Sequence, residues 1–288
     1  MRKSSLLIFS GCLFLLFSLQ AFSVTKGYLF IIGGGSRPPG MMEKFVQLAQ
    51  WYGNVKIVVF PMASAEPDKT GASQVAELRK AGAKKAVYYN LTRPQALKEK
   101  SAEILDDAGG VFFSGGVQAR LTKILLDTPV HKKLLQIYEK GCVIGGTSAG
   151  AAVLSEIMIT GDENKKVEEG HEFETIEARN IVTAPGLGFI KNAIVDQHFA
   201  TRKRHNRLIS LVAEHPQLLG LGIDESTAII ISPNEIFEVI GQKNVIVYDG
   251  SGAKIKILPS QAIGLTKMTI HVLLPGERFD LKRRKVID

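Results

Sequence analysis

The sequence predicts an α/β protein in which helices cover both faces of a mainly parallel sheet and antiparallel strands continue it at the carboxyl end. Three observations carry this. Short apolar runs alternate with longer stretches of helical patterning through most of the chain. The runs are apolar throughout, as strands buried on both faces must be. Beyond Gly220 the texture changes to alternating or β-branched segments separated by turn residues. The parallel strands are expected at Tyr28–Ile32, Val55–Phe60, Ala86–Tyr89, Gly110–Phe113 and Val143–Ile144. Helices are expected at Met42–Tyr52, Gly71–Ala81, Pro94–Leu105 and Gln118–Tyr138. A further helix over Leu208–His215 is marked by Leu208, Leu211, Val212 and His215 at i, i+3, i+4 and i+7. Late strands fall at Ala228–Ile231, Ile236–Ile240, Asn244–Tyr248 and Thr269–Leu274, with Pro-Asn, Asp-Gly and Pro-Gly between them, as in hairpins. No linker, repeat or low-complexity segment interrupts this order, so 24–288 is expected to be a single domain.

The 288 residues are 45% apolar and 22% charged. That balance excludes intrinsic disorder, collagen and coiled coil, and a core of this size needs no disulfide or metal staples. The amino end reads as an address. Met1-Arg2-Lys3 is a basic start, Leu6 to Leu19 is nearly unbroken apolar sequence, and Ala21 and Ser23 supply small residues at −3 and −1 of a cleavage site before Val24. The apolar run is shorter than the ~20 residues that span a bilayer. A signal peptide over 1–23 is therefore expected, giving a secreted or periplasmic chain with no stable membrane insertion; an uncleaved anchor is the alternative. Only Cys142 would survive cleavage, which allows no internal disulfide. With six scattered histidines no metal-ligand spacing is present, and neither metal nor cofactor is expected.

In an open parallel sheet ligands bind beyond the carboxyl ends of the strands. Three glycine-rich turns fall there: Gly33-Gly34-Gly35, Gly115-Gly116, and Gly145 to Gly150. The first is no dinucleotide fingerprint, since Pro38 stands where a third glycine should be. The third holds Gly146-x-Ser148-x-Gly150 between a strand and the helix-like Ala149–Met158, the setting of a nucleophile elbow. In such a turn the serine hydroxyl points outward, and residues two before and two after it approach too closely for side chains. The Ala149 amide is one natural oxyanion donor, Gly115-Gly116 offers another, and a helix N-terminus favours the developing charge. A plain tight turn with Ser148 as an N-cap fits the same pattern. For a base, His198 follows Ala193-Ile194-Val195 at another strand end, where a structural histidine fits equally well. For an orienting acid, Asp224 and Glu225 point to opposite faces, so only one can serve. The order Ser, His, acid differs from the Ser, acid, His order of α/β-hydrolases. The run Arg202-Lys203-Arg204-His205-Asn206-Arg207 is a solvated face or an anion-binding patch. On a continuous helix Arg204 and Arg207 share a face and Arg202 does not. Few aromatics interleave with these charges, so nucleic acid is not an expected partner.

Taken together these segments resemble the cyanophycinases, serine peptidases of the S51 group that also holds the α-aspartyl dipeptidases. The resemblance rests on Phe113-Ser114-Gly115-Gly116-Val117-Gln118, on Gly146 to Ala152, on Asp196-Gln197-His198-Phe199 with Arg202, Arg204 and Arg207, on Gly222 to Glu225, and on Val272 to Leu281. It implies Ser148 as nucleophile, His198 as base and Glu225 as the acid that orients it; the turns themselves offer the Gly116 and Ala149 amides as the oxyanion hole. It places Gln118, Asp196, Gln197, Arg202, Arg204 and Arg207 in the substrate pocket. The implied fold is an α/β/α sandwich, flavodoxin-like and related to class I glutamine amidotransferases, often dimeric and without a metal. The implied substrate is cyanophycin, a poly-aspartate with arginine on each β-carboxyl, released as β-Asp-Arg dipeptides. The sequence departs from the pattern at Val117, where the resemblance calls for Asp or Asn. Two other readings stay open: a related peptidase cutting α- or iso-aspartyl peptides, and a non-catalytic polyanion-binding protein.

Overall fold

In the computed structural model, which describes residues 26–287 apart from 52, 54, 55 and 169, the first half of the chain alternates strand and helix. The candidate leader at 1–23 lies outside the described residues. Strands β1 (Leu29–Ile32), β2 (Lys56–Phe60), β3 (Lys85–Tyr88), β4 (Ala108–Phe113) and β5 (Val143–Thr147) run parallel in the order β1-β5-β4-β2-β3. Helices α1 (Met41–Ala49), α2 (Pro67–Lys80), α3 (Arg93–Ala96), α4 (Gln118–Leu125) and α5 (Pro129–Tyr138) connect them. Every residue of β1, β4 and β5 is buried, and the period of two sorts their side chains into two cores. Phe30, Ile32, Ile57, Val59 and Phe112 face α1 and α2, where Phe45 meets Phe30 and Phe112 edge-on at 5.5 and 5.4 Å. Leu29, Ile31, Val58, Phe60, Val111 and Phe113 face the other way, onto Leu121, Leu125 and Leu134 of α4 and α5.

The chain then leaves this sheet. After the single-turn helix α6 (Ala149–Ala152), β6 (Ile157–Glu163) and β7 (Ile181–Pro185) form a two-stranded pair. Next, β8 (Ala193–Gln197), α7 (His205–Glu214) and β9 (Leu219–Ile223) make a parallel β-α-β unit. β10 (Thr227–Ile231) returns to the first sheet, antiparallel to β1, and β11 (Ile236–Gly241) pairs with it. β12 (Val245–Asp249), the hairpin β13 (Lys254–Ile257) and β14 (Ile263–Thr266), and β15 (Thr269–Leu273) follow, then β16 (Arg278–Asp280) and β17 (Lys285–Ile287). The result is a nine-stranded sheet, β17-β16-β11-β10-β1-β5-β4-β2-β3, and a four-stranded sheet, β15-β12-β9-β8. Val195, Leu219, Leu221 and Ile223 join the core beneath the first sheet, while Ile194, Ile246 and Tyr248 pack against Leu208, Leu211 and Val212 of α7. The expected α/β class holds. The late strands are antiparallel as expected, and they are divided between the two sheets, widening the first and completing the second.

Several expected helices are shorter, for local reasons. The span 118–138 is two helices, because Pro129 cannot continue the first and Thr128 caps the second by accepting from the His131 amide at 3.2 Å. Pro94–Leu105 becomes one α turn with a Thr92–Gln95 capping box, then a 3₁₀ segment over Glu99–Leu105. Helix α6 stops after one turn instead of reaching Met158. The backbone beyond it is claimed elsewhere: the Ile190 amide donates to Leu154 O at 2.9 Å, the Glu156 amide to Ile190 O at 2.8 Å, and Ser155 Oγ accepts from the Val195 amide at 3.0 Å. Among the described residues no helix is long and apolar enough to cross a membrane.

Candidate active site

The sharp turn between β5 and α6 is closed by glycine on both sides. A Cβ on Gly146 would lie 2.1 Å from Gly150 O, and one on Gly150 would lie 2.2 Å from Phe113 O. Ser148 between them has φ 54° and ψ −116°, a region that non-glycine residues occupy only when their surroundings over-determine it. Its amide is pinned to Ile32 O at 3.0 Å, which extends the β1–β5 ladder into the turn. The serine side chain remains partly exposed. Gly115, beyond β4, lies beside it, where a Cβ would make an ordinary contact with Ser148 Cβ at 3.4 Å. Gly116 has φ 137° and backs onto Ala63 O, leaving no room for a side chain. The amides of Gly116 and Ala149 are not taken up by another group among the described residues. Since α6 is one turn long, a helix dipole adds little here, and any oxyanion stabilisation rests on the amides themselves.

The second sheet delivers the partners. His198 follows β8 with φ 51°, and its amide donates to Gly33 O at 2.7 Å. Its Nε2 lies 2.7 Å from Ser148 Oγ, and its Nδ1 lies 2.6 Å from Glu225 Oε1. Burial pushes the imidazole below its ordinary value of 6.5; the hydrogen bond it donates to Glu225 opposes this, and the Arg202 and Arg204 charges add to it. The balance favours the neutral ring, the form in which Nε2 can accept a proton. Asp224 faces away, its Oδ1 accepting from the Thr201 amide at 3.0 Å and its Oδ2 lying 3.2 Å from Lys243 Nζ. Burial alone would raise that carboxyl, but these donors hold it below the usual range. Of the two neighbouring acids, Glu225 is the one that meets the histidine.

The Gly33–Gly35 turn, one of the three glycine-rich turns expected at strand ends though no nucleotide motif, lines this constellation. A Cβ on Gly34 would sit 2.3 Å from His198 Cε1 and 2.5 Å from Nε2, and one on Gly35 would sit 2.8 Å from Glu225 Cβ. Three glycines in a row were the available signal; what they make room for is visible only in three dimensions.

The remaining predicted positions separate by burial. Arg202 is exposed beside His198, its amide donating to His198 O at 2.9 Å. Arg204 is partly buried and donates through Nη1 to Gln197 O at 2.7 Å and to Gln197 Oε1. Burial and the nearby Arg207 charge bring its pKa down to about 10. Arg207 is no surface cation. It is 1% exposed and forms a bidentate pair with Asp196, also 1% exposed, with Nε to Oδ2 at 2.7 Å and Nη2 to Oδ1. Its Nη1 has no partner among the described residues, and its Cζ stands 4.8 Å from the Phe173 ring centre. Helix α7 begins only at His205, so 199–204 is a turn and the basic run is split between solvent and core. Gln118 spends its Nε2 on Ile159 O at 2.8 Å and Thr160 O at 2.6 Å, tethering β6. Among the described residues no group of three or more His, Cys, Asp or Glu is placed to hold a metal. A cavity of about 440 Å³ lined by Lys26, Tyr138, Phe189 and Glu235 lies at the opposite end of β1 and holds none of this set.

A Ser–His–Glu chain at the carboxyl ends of an α/β scaffold is the equipment of a serine hydrolase. Residues 29–239 match the model of peptidase family S51, and the chain belongs to that family. It is 35% identical over 232 residues to a cyanophycinase of Geminocystis herdmanii, covering 78% of this chain and 82% of the relative. It is 31% identical over 269 residues to a cyanophycinase of Synechococcus elongatus, covering 91% and 81%. The crystal structure of a peptidase from an acI-B1 Actinobacterium shares the fold, with a TM-score of 0.65 at 22% identity over 89% of this chain and 98% of that one.

Proposed function

We propose that this enzyme is an exported exopeptidase of cyanophycin that releases β-Asp-Arg dipeptides through an acyl-enzyme on Ser148. The observation that carries the proposal is the unbroken bond chain from Ser148 Oγ through both nitrogens of His198 to Glu225. His198 takes the hydroxyl proton as Ser148 attacks the backbone carbonyl, and Glu225 fixes the tautomer and stabilises the imidazolium that forms. The Gly116 and Ala149 amides receive the oxyanion, the leaving amine takes the proton back, and water then frees the acyl group. Exposed Arg202 and partly buried Arg204 supply cations for the polymer's carboxylates. Residues 24–288 would act as one catalytic unit after removal of 1–23, in a homodimer. One observation favours a narrower alternative, hydrolysis of other α- or iso-aspartyl peptides: Val117, 47% exposed, puts an apolar side chain beside Gly116.

Purified mature protein incubated with insoluble cyanophycin is expected to yield β-Asp-Arg identified by mass. Ser148→Ala should yield none while melting at the wild-type temperature, since it removes one partly exposed hydroxyl. Turnover of short aspartyl peptides with the polymer left intact would select the alternative, and full activity in Ser148→Ala would end both.

A further inference from the structure

Glu225 orients the ring of His198, but the backbone that carries that ring is held by something else. His198 has φ 51°, a strained value that must be imposed from outside. The turn that follows exposes Thr201, Arg202 and Lys203 to solvent, so packing does not fix its outer side. A polar bracket does. Asp224 Oδ1 accepts from the Thr201 amide at 3.0 Å, while Lys243 Nζ reaches both Thr201 Oγ1 at 2.8 Å and Asp224 Oδ2 at 3.2 Å. The same lysine's amide donates to Thr227 Oγ1 at 2.9 Å, and the Gln242 amide to Ser226 O at 3.0 Å. Thr227 Oγ1 in turn lies 3.2 Å from Glu225 O. The loop between β11 and β12 therefore grips the segment bearing the acid and the turn bearing the base at once.

We propose that Lys243 is a positioning residue for catalysis, joining the His198 turn to the Glu225 segment through Thr201 and Asp224. This rests on the serine-nucleophile reading of the site but not on the identity of the substrate. Lys243 is far from a buried core position, with 44% of its side chain exposed, whereas Asp224 is buried. Its removal leaves a buried carboxylate without its cation and frees the outer side of the turn. A displacement of about 1 Å in a catalytic group costs about a hundredfold in rate, and a partial loosening of one turn is expected to cost about tenfold.

The test compares Lys243→Met with Lys243→Arg by steady-state kinetics and by the rate at which a small fluorophosphonate labels Ser148. In Lys243→Met, kcat and the labelling rate should both fall about tenfold while KM stays within about twofold, and Lys243→Arg should restore most of both. Should Lys243→Met not fold, Thr201→Val, which removes only the hydroxyl reached by the ammonium, carries the same expectation to a smaller degree. Unchanged labelling and kcat in Lys243→Met, or a rise in KM alone, would overturn the proposal. Failure of the wild-type protein to label at Ser148 would instead remove the serine-nucleophile reading beneath it.

Discussion

Ser148 and His198 both hold left-handed backbone conformations, φ 54° and 51°, that cost a non-glycine residue about 1–3 kcal/mol each. Each is pinned by a bond to the strand β1 or its turn: the Ser148 amide to Ile32 O, the His198 amide to Gly33 O. The strained residues are thus the ones whose side chains meet, and Glu225 completes the line. Glu225→Gln is expected to keep the fold and KM and to lower kcat by several orders of magnitude, as when a triad carboxylate becomes an amide, a loss of about 10⁴. Asp224→Asn should cost far less, because that side chain holds the Thr201 amide and not the ring. The pH profile offers a second readout. Since the base must be neutral and its pKa lies below 6.5, the acid limb of kcat/KM should fall below pH 6.5 in the wild type. Arg202→Gln removes a charge that lowers this pKa, so its limb should move to higher pH. A limb that stays put would detach Arg202 from the base. At this scale the sharp turn at Ser148 was legible because its motif is local. Strand alternation allowed only one of the two acids to serve and the resemblance named Glu225; both lie just beyond β9, where Glu225 meets the ring and Asp224 meets the Thr201 amide. The burial of Arg207 was not legible, since a run of basic residues carries no mark of which one a neighbouring strand will claim.

The glycine turn after β1 shows how an element can serve a site without supplying a reacting group. Gly34 has φ 105° and faces the imidazole with no space for a methyl group. Gly34→Ala must push the ring away from both Ser148 and Glu225, and kcat is expected to drop by about a hundredfold. Backbone strain alone would not do this. Gly40 also has a positive φ, 84°, but a Cβ added there would meet nothing within 4 Å, so Gly40→Ala should lower Tm by a few degrees and leave kcat unchanged. Equal kcat losses in the two variants would show general destabilisation instead. Among the expected elements that held, β1, β2 and β4 are continuous apolar runs and α1 repeats its apolar positions at helical spacing. Those that failed, such as the single helix over 118–138 or the extension of α6 to Met158, were undone by Pro129 and by tertiary hydrogen bonds that no local pattern encodes.

Across the whole molecule the site is an assembly of two sheets: the nine-stranded sheet presents Ser148, and the four-stranded sheet presents His198 at the end of β8 and Glu225 just beyond β9. Glu225 lies on the short crossing from β9 to β10, where the chain passes from the second sheet back to the first. Neither the division of the late strands nor this crossing was legible, because strand pairing between segments so far apart leaves no periodic trace. The alignment of the base then depends on how firmly β8 is tied within its own sheet, and the buried Asp196–Arg207 pair ties it to α7. Removing one member strands a charge in the core. Arg207→Ala is expected to destabilise the fold by about 3–5 kcal/mol, which corresponds to a fall in Tm of roughly 6–20 °C. Replacing both members by apolar residues, Asp196→Leu with Arg207→Met, removes the stranded charge and should recover most of that loss, since a buried pair is seldom better than the hydrophobic packing that could stand in its place. The resemblance drawn from the sequence implies a substrate-pocket role for Arg207, which makes the opposite expectation equally concrete: a directly bound substrate carboxylate would give an Arg207→Ala protein of wild-type Tm and raised KM. Thermal melting of the single and double variants, set beside KM, separates the two, and the burial of both partners favours the loss of stability.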